Sequence, residues 1–271
     1  MARGPWTSGT TAPTAVATAE MSTAKELARR KTADGRTVVL WADGWISQAM
    51  GYAYMGEGNT PGAVGEFRKA VKNNKWDSDA WHGLALAYFA AEMHADAEAA
   101  FLEAIKLADT DFPQAHVNLG SLYLETQQWD KAVEALSAAV ADPEYRQPSK
   151  ARHNLGWAFY NQGQYADARR EYQKVLREFP LFCPAVRNLG MVDEAEGKLR
   201  DAMVRYQQAQ QCDPTDLNVR LSLGTIEARL DLRGDACGNL VTVRDADPYG
   251  ELATEASRLI AQLECEGAPP R

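Results

Sequence analysis

Small and large apolar residues recur along this chain with two periods, one helical and one near 34 residues. A small residue falls at Gly51, Ala85, Gly120, Gly156, Gly190 and Gly224, at intervals of 34, 35, 36, 34 and 34. Directly before it stand Met50, Leu84, Leu119, Leu155, Leu189 and Leu223, and three residues after it come Tyr54, Tyr88, Tyr123 and Phe159 in the first four copies. A second small residue recurs as Ala63, Ala97, Ala132, Ala168, Ala202 and Ala236, followed four positions later by Phe67, Phe101, Leu136, Tyr172, Tyr206 and Leu240. Residues three and four apart share a helix face. Each copy therefore predicts two helices, A and B, whose small residues let the large ones close upon them. Pro180, Pro214 and Pro248 end helix B in the last three copies, because proline lacks the backbone donor and clashes with the preceding turn.

A helix-turn-helix unit of this length, with Leu-Gly, Tyr, Ala, an aromatic and Pro in that order, resembles the tetratricopeptide repeat. The resemblance covers roughly residues 44–250 and divides them into copies at 44–77, 78–111, 113–146, 149–182, 183–216 and 217–250. It implies an all-α, right-handed superhelical solenoid of six repeats with a concave groove lined by the A helices. The segment ELATEASRLIAQLE, residues 251–264, alternates apolar and charged faces and suits a C-terminal capping helix, with 265–271 a tail. Residues 22–43 read as a lead-in segment that holds a short helix over 22–31 and a break at Asp34-Gly35. Residues 1–21, rich in Ala, Thr and Pro, read as a disordered tether without the apolar core of a secretory signal, or equally as an arbitrary start. Copies five and six place Asp193 and Glu227 in the slot of the aromatic, which predicts thinner packing and a need for another source of stability.

Composition narrows the function classes. With 29 basic against 37 acidic residues the net charge is −8, so a phosphate-neutralising surface is hard to assemble and nucleic acid is not an expected partner. No apolar run reaches the roughly 20 residues of a membrane-spanning helix. His82, His94, His116 and His153 are scattered over separate copies, without a metal-binding or nucleophile motif around them. The glycines of GEGNTPG, residues 56–62, lack the Lys-Ser/Thr of a phosphate loop and serve a turn. A monomeric, non-catalytic protein-binding scaffold without metal or cofactor is the reading these features support.

The cysteines, Cys183, Cys212, Cys237 and Cys265, show no zinc-binding spacing. Cys183 opens helix A of copy five and Cys212 closes its antiparallel helix B, so those two ends are neighbours. Cys237 begins helix B of copy six and Cys265 follows the capping helix antiparallel to it. The geometry predicts disulfides Cys183–Cys212 and Cys237–Cys265, and with them a compartment outside the cytoplasm; the alternative is four small buried hydrophobes in a reducing cytosol.

Two positions before the small residue, copies three, four and five carry Asn118, Asn154 and Asn188. An asparagine amide offers donor and acceptor together, so a ladder of them would hold a peptide backbone in the groove; the alternative is that they bond neighbouring helices. Lys150, Arg152, His153, Arg187 and Arg220 would add positive potential and favour an acidic ligand. Trp157 and Tyr160 offer aromatic contact area or inter-repeat packing. Trp41, Trp45, Trp76 and Trp81 make the first two copies aromatic enough for a hydrophobic docking surface, or for core and edge packing.

The stretch DPEYRQPSKARHNLGWAFYNQGQYADA, with Pro143, Tyr145 and Pro148 ahead of Asn154-Leu155-Gly156, and the final LRGDACGNLVTVRDADPYGELA resemble the bacterial type IV pilus pilotins, the PilF/PilW/Tgl family of outer-membrane lipoproteins. That resemblance implies a protein at the periplasmic face of the outer membrane that binds secretin subunits and assists their localisation and assembly into the multimeric channel. Membrane attachment would run only through an N-terminal lipid anchor, and no cysteine able to carry one precedes Cys183 in this sequence. Two other readings stand beside it: a cytosolic adaptor or co-chaperone that clamps an acidic or extended peptide, and the regulatory arm of a separate enzyme.

Overall fold

The structure, a computed structural model, describes residues 38–108, 112–143 and 145–265, with side chains from residue 43 onward. The expected tether and the short helix over 22–31 lie outside the described residues. Among the described residues there are thirteen helices and no strand: α1 Val38–Gly56, α2 Thr60–Asn73, α3 Ser78–Ala90, α4 His94–Leu107, α5 Pro113–Glu125, α6 Trp129–Ala141, α7 Pro148–Asn161, α8 Tyr165–Glu178, α9 Cys183–Ala195, α10 Leu199–Cys212, α11 Leu217–Arg229, α12 Arg233–Ala246 and α13 Glu251–Gln262. The first helix begins six residues ahead of the boundary expected at 44. The chain forms two compact units, one ending at Asn154 and one starting at Leu155, so α7 contributes to both.

Local chemistry sets the helix ends. Asp77 caps α3 by accepting from the Ala80 N–H at 3.0 Å, Asn59 caps α2 through the Gly62 N–H, and Asp216 caps α11 through the N–H groups of Asn218 and Val219. These carboxylate and amide oxygens satisfy donors that the first helical turn leaves open. The A-to-B turn recurs with one residue in the left-handed region, namely Gly58, Glu92, Gln127, Gly163, Gly197 and Asp231, with φ between 57° and 76°.

In the first unit α1 pairs with α2, α3 with α4 and α5 with α6, and the B helices α2 and α4 also touch the next A helix. Phe67 of α2 lies fully buried between two glycines, since a Cβ at Gly51 would stand 2.7 Å, and one at Gly83 2.2 Å, from its ring. Leu136 meets Gly120 in the same way. The second unit repeats the device: Tyr172 rests on Gly156, Tyr206 on Gly190 and Leu240 on Gly224. The small-to-large match read from the sequence is thus the contact that sets the helix spacing.

Along the second unit the A helices present their outer apolar stripe to the preceding B helix. Ala185, Leu189 and Val192 of α9 join Ala168, Tyr172 and Val175 of α8, and Val219, Leu223 and Ile226 of α11 join Ala202, Tyr206 and Ala209 of α10. The capping helix α13 closes this end, with Ala256 and Ile260 packed on Leu240 and Val243 of α12. Both predicted disulfides are present: Cys183–Cys212 and Cys237–Cys265, each with Cα atoms 5.7 Å apart.

Candidate partner-binding surfaces

In the first unit the amides expected to line a groove are engaged within the fold. Asn118 Nδ2 lies 2.9 Å from His82 Nε2, joining α5 to α3. The His82 ring sits 5.0 Å from Phe112 and 5.9 Å from Phe101. Burial pushes its imidazole down to about 4, so the ring is neutral near pH 7 and its Nε2 accepts from the Asn118 amide. Asn154 is 7% exposed and donates to Ser121 Oγ at 3.3 Å. His153 is 1% exposed. The open-ladder expectation is therefore corrected at Asn154, and the groove assignment at His153: both side chains lie inside the packing, where a buried amide must be satisfied by the protein itself. Lys150 is exposed and Arg152 half-buried.

The open aromatic surface of this unit lies on α1. Trp45 and Tyr52, seven residues apart on one helix face, are both about 40% exposed, and the Tyr52 ring meets Phe67 edge-on at 4.9 Å. Trp76 is 68% exposed beneath the Lys75 ammonium. Trp81 is half-buried, its indole N–H donating to the Lys75 carbonyl at 2.9 Å. The side chain of Trp41 lies outside the described residues. No feature of the sequence pattern separates the open Trp45 from the anchored Trp81, since the difference arises from which face of the helix a neighbour covers.

In the second unit Asn188 is 1% exposed. Its Nδ2 donates to the Tyr172 hydroxyl at 3.2 Å, and its Oδ1 accepts from Arg187 Nε at 3.3 Å. The ladder is thereby corrected here too. Arg187, half-buried, pairs with Asp216 at 3.2 Å, and Arg220 donates to the Pro214 carbonyl at 3.3 Å. These guanidiniums fasten the start of α11 and the turn before it. Trp157 stacks on Tyr160 at 5.4 Å with planes 13° apart, and Tyr160 meets Tyr165 at 5.7 Å. Trp157 and Tyr160 are both half-buried.

The slot of the missing aromatics is filled by polar chemistry. Asp193, 3% exposed, pairs with Arg169 at 2.8 Å, and Arg169 also reaches Glu196 at 2.5 Å. Glu227, buried, accepts from Asn239 at 2.8 Å, and burial raises its carboxyl above the ordinary glutamate value. Around Asp193 lies a cleft of about 490 Å³ lined by Arg169, Lys198, Asp201 and Arg205. Its three cations face the lining carboxylates Asp193 and Asp201 and the adjacent Glu196, with Lys198 on Glu196 at 2.7 Å and Arg205 near Asp193 at 3.9 Å. The cleft is an ion-pair network that replaces an aromatic contact. Among the described residues, no three of His, Cys, Asp and Glu gather as metal ligands, and no helix is long and apolar enough to cross a membrane.

Family models of the tetratricopeptide repeat match residues 49–112, 114–144 and 149–182. No curated protein sequence matches the chain. Among solved structures, PilW, titled a widely conserved type IV pilus biogenesis factor, is 22% identical, with a TM-score of 0.72 over 79% of this chain and 98% of its own. PilF of Pseudomonas aeruginosa is 19% identical, with a TM-score of 0.69 over 80% of this chain and 97% of its own. YrrB, titled a tetratricopeptide protein with an unusual peptide-binding site, is 21% identical, with a TM-score of 0.56 over 71% and 97%. The family models stop at residue 182, just before the copies that lose the aromatic, yet the helix pairs continue to Ala246. Helix pairs clamped by a large side chain on a glycine recur at a period near 34, and within residues 49–182 the family models mark them as tetratricopeptide repeats.

Proposed function

We propose that this protein is a pilotin-type scaffold, acting outside the cytoplasm at the periplasmic face of the outer membrane, where it binds secretin subunits and assists their assembly. The observation that carries the reading is the pair of disulfides at the C-terminal end. Such bonds form and persist in oxidising compartments, which counts against the cytosolic adaptor. Within tetratricopeptide proteins of such compartments, the sequence resemblance around residues 142–168 and the similarity in fold to nearly the full length of PilW and PilF favour pilus biogenesis. The fold supplies no chemistry of its own to this role. It offers a partner rigid surfaces: the exposed Trp45 and Tyr52 in the first unit, and the half-buried stacked pair Trp157 and Tyr160 in the second. Aromatic side chains of this kind give large contact area at low entropic cost.

Crosslinking in the native membrane fraction, followed by affinity isolation, tests the reading. Secretin subunits are expected in the isolate, and deletion of the gene is expected to leave the secretin as monomer on native size separation. Recovery of soluble chaperones, or of an enzyme in fixed stoichiometry, with secretin assembly unchanged, would instead establish one of the two other readings.

A further inference from the structure

The first unit supplies its own cations to several of its rings and carboxylates. Lys75 Nζ lies 4.8 Å from the centre of the Trp76 ring, the Arg68 guanidinium 5.4 Å from Tyr88 and Lys131 Nζ 5.1 Å from Tyr123. Glu66 pairs with Lys69 at 2.7 Å, Glu98 with Lys131 at 2.9 Å and Glu103 with Lys106 at 3.0 Å. The face of α1 that carries Trp45 and Tyr52 is built differently. Trp45, Gln48 and Tyr52 follow one another at spacings of three and four, so they share that face. Gln48 Nε2 donates to Asp77 Oδ2 at 2.8 Å, which fixes the N-terminal end of α3 beside it. Asp77 caps that helix, and the exposed Asp79 lies in its first turn. Two open rings and two carboxylates thus meet on one edge, and among the described residues no cation pairs with either carboxylate. Partial desolvation and the neighbouring Asp77 charge hold the Asp79 carboxyl above the ordinary aspartate range. Desolvation pushes the Tyr52 hydroxyl up to about 12, and the charges of Asp79 and Asp77 add to the rise. Negative potential here adjoins two rings whose faces are themselves electron-rich, and both attract a cation. The surrounding chain agrees in sign, since residues 38–154 carry 9 basic and 16 acidic side chains.

We propose that the edge formed by Trp45, Tyr52, Asp77 and Asp79 binds an arginine-bearing segment of a partner protein, with a guanidinium against an aromatic face and its N–H groups toward the aspartates. Arginine fits this edge better than lysine, because a planar guanidinium stacks on a ring while its donors stay free in the plane for carboxylates. The proposal rests on the reading of Trp45 and Tyr52 as a partner surface and gives that partner its chemistry. The segment is basic, opposite in sign to the ligand that the pattern of Lys150, Arg152 and Arg187 favours in the sequence. Arg187 is spent on Asp216 within the second unit, whereas Asp79 keeps its charge for a visitor.

Three labelled peptides that differ only at four positions, held by Arg, Gln or Glu, test this on the full chain by fluorescence anisotropy. The Arg peptide is expected to bind about tenfold more tightly than the Gln peptide at low salt, and to lose most of that margin near 1 M salt as screening rises. Asp79→Asn and Trp45→Ala should each weaken its binding about three- to fivefold. Asp235→Asn, which removes the same charge from the second unit, should leave it unchanged. A Gln or Glu peptide that binds as well as the Arg peptide, or an Asp79→Asn protein that matches Asp235→Asn, would overturn the proposal. A dimer in sedimentation that Trp45→Ala dissociates would also overturn it, by making a second copy the occupant. Secretin recovered by crosslinking without any preference for the Arg peptide would sink this proposal and leave the pilotin reading standing. The Arg preference with no secretin recovered would sink the pilotin reading alone.

Discussion

The disulfide between Cys237 and Cys265 ties the start of α12 to the residue that follows α13. Replacing both cysteines by alanine opens a loop of 28 residues' separation, and chain-entropy arithmetic for such a loop gives about 3.5 kcal/mol of lost stability. That is roughly a 300-fold change in the folded-to-unfolded ratio, at about 1.4 kcal/mol per tenfold. The loss has a local component as well. Cys265 is buried with Leu240, Val243, Ala256 and Ile260, so α13 should fray from its C-terminal end and expose the apolar face of α12. Urea unfolding followed by helical circular dichroism reads the global loss, and deuterium uptake of α12 and α13 reads the local one. Reductant added to the wild type should match or exceed the loss in the variant, because it also opens Cys183–Cys212. Reductant added to the variant isolates that second bond, which closes a loop of 29 residues' separation and should contribute a similar amount. If reductant moves the wild type by less than about 1 kcal/mol, the argument that cross-links compensate for lost packing in copies five and six fails, whatever the compartment.

Three smaller perturbations follow from the same contacts. Because burial holds His82 neutral to about pH 4 while the unfolded chain takes up its proton near 6.5, stability should fall as pH drops through that window, by up to about 3 kcal/mol; His82→Gln should flatten this part of the pH profile in urea titrations at fixed salt. Gly190→Val places a side chain 2.8 Å from the Tyr206 ring and should cost about 2–3 kcal/mol, read as a lower urea midpoint. Gln127 and Asp231 occupy the left-handed turn slot that Gly58, Gly163 and Gly197 fill elsewhere, so Gln127→Gly with Asp231→Gly should raise Tm by a few degrees, from removal of about 1 kcal/mol of strain at each site less glycine's larger unfolded-state entropy.

The repeat positions were legible because their partners lie at fixed offsets within one or two helices. Gly51 and Phe67, or Gly190 and Tyr206, are complementary in size at sixteen residues' separation, and that complementarity is visible in the string. Both cysteine pairings were legible for a related reason, since antiparallel helices bring predictable ends together. The candidate groove was not. Whether Asn154 looks at solvent or at Ser121 depends on a rotation of a few tens of degrees about the helix axis, and a periodicity argument does not resolve angles that fine. Once an amide lies that close to a neighbouring hydroxyl or phenol, satisfying it inside the fold avoids the cost of leaving a buried donor unpaired. The arginines follow the same logic: Arg187 was read as a source of potential for a ligand, yet Asp216 stands within 3.2 Å and neutralises it.

Copies five and six show how a repeat survives the loss of its defining aromatic. At Asp193 a carboxylate has replaced a ring, which removes apolar contact and adds a group that is costly to bury alone. The structure answers with Arg169 at 2.8 Å, supplied by the preceding helix B, and at Glu227 with Asn239 at 2.8 Å from its own helix B. A buried ion pair or amide contact restores satisfaction but contributes less net stability than the packing it replaces, so these two copies should be the weakest in the chain by non-covalent terms. Both disulfides fall in these copies and their cap, and in no other. That coincidence is what a solenoid would show if polar substitution at its C-terminal end had been tolerated because an oxidising environment supplied covalent closure. It also implies that Asp193→Tyr together with Arg169→Leu, which restores the apolar slot and leaves no unpaired charge between the two, should raise the stability that remains once Cys183–Cys212 is reduced.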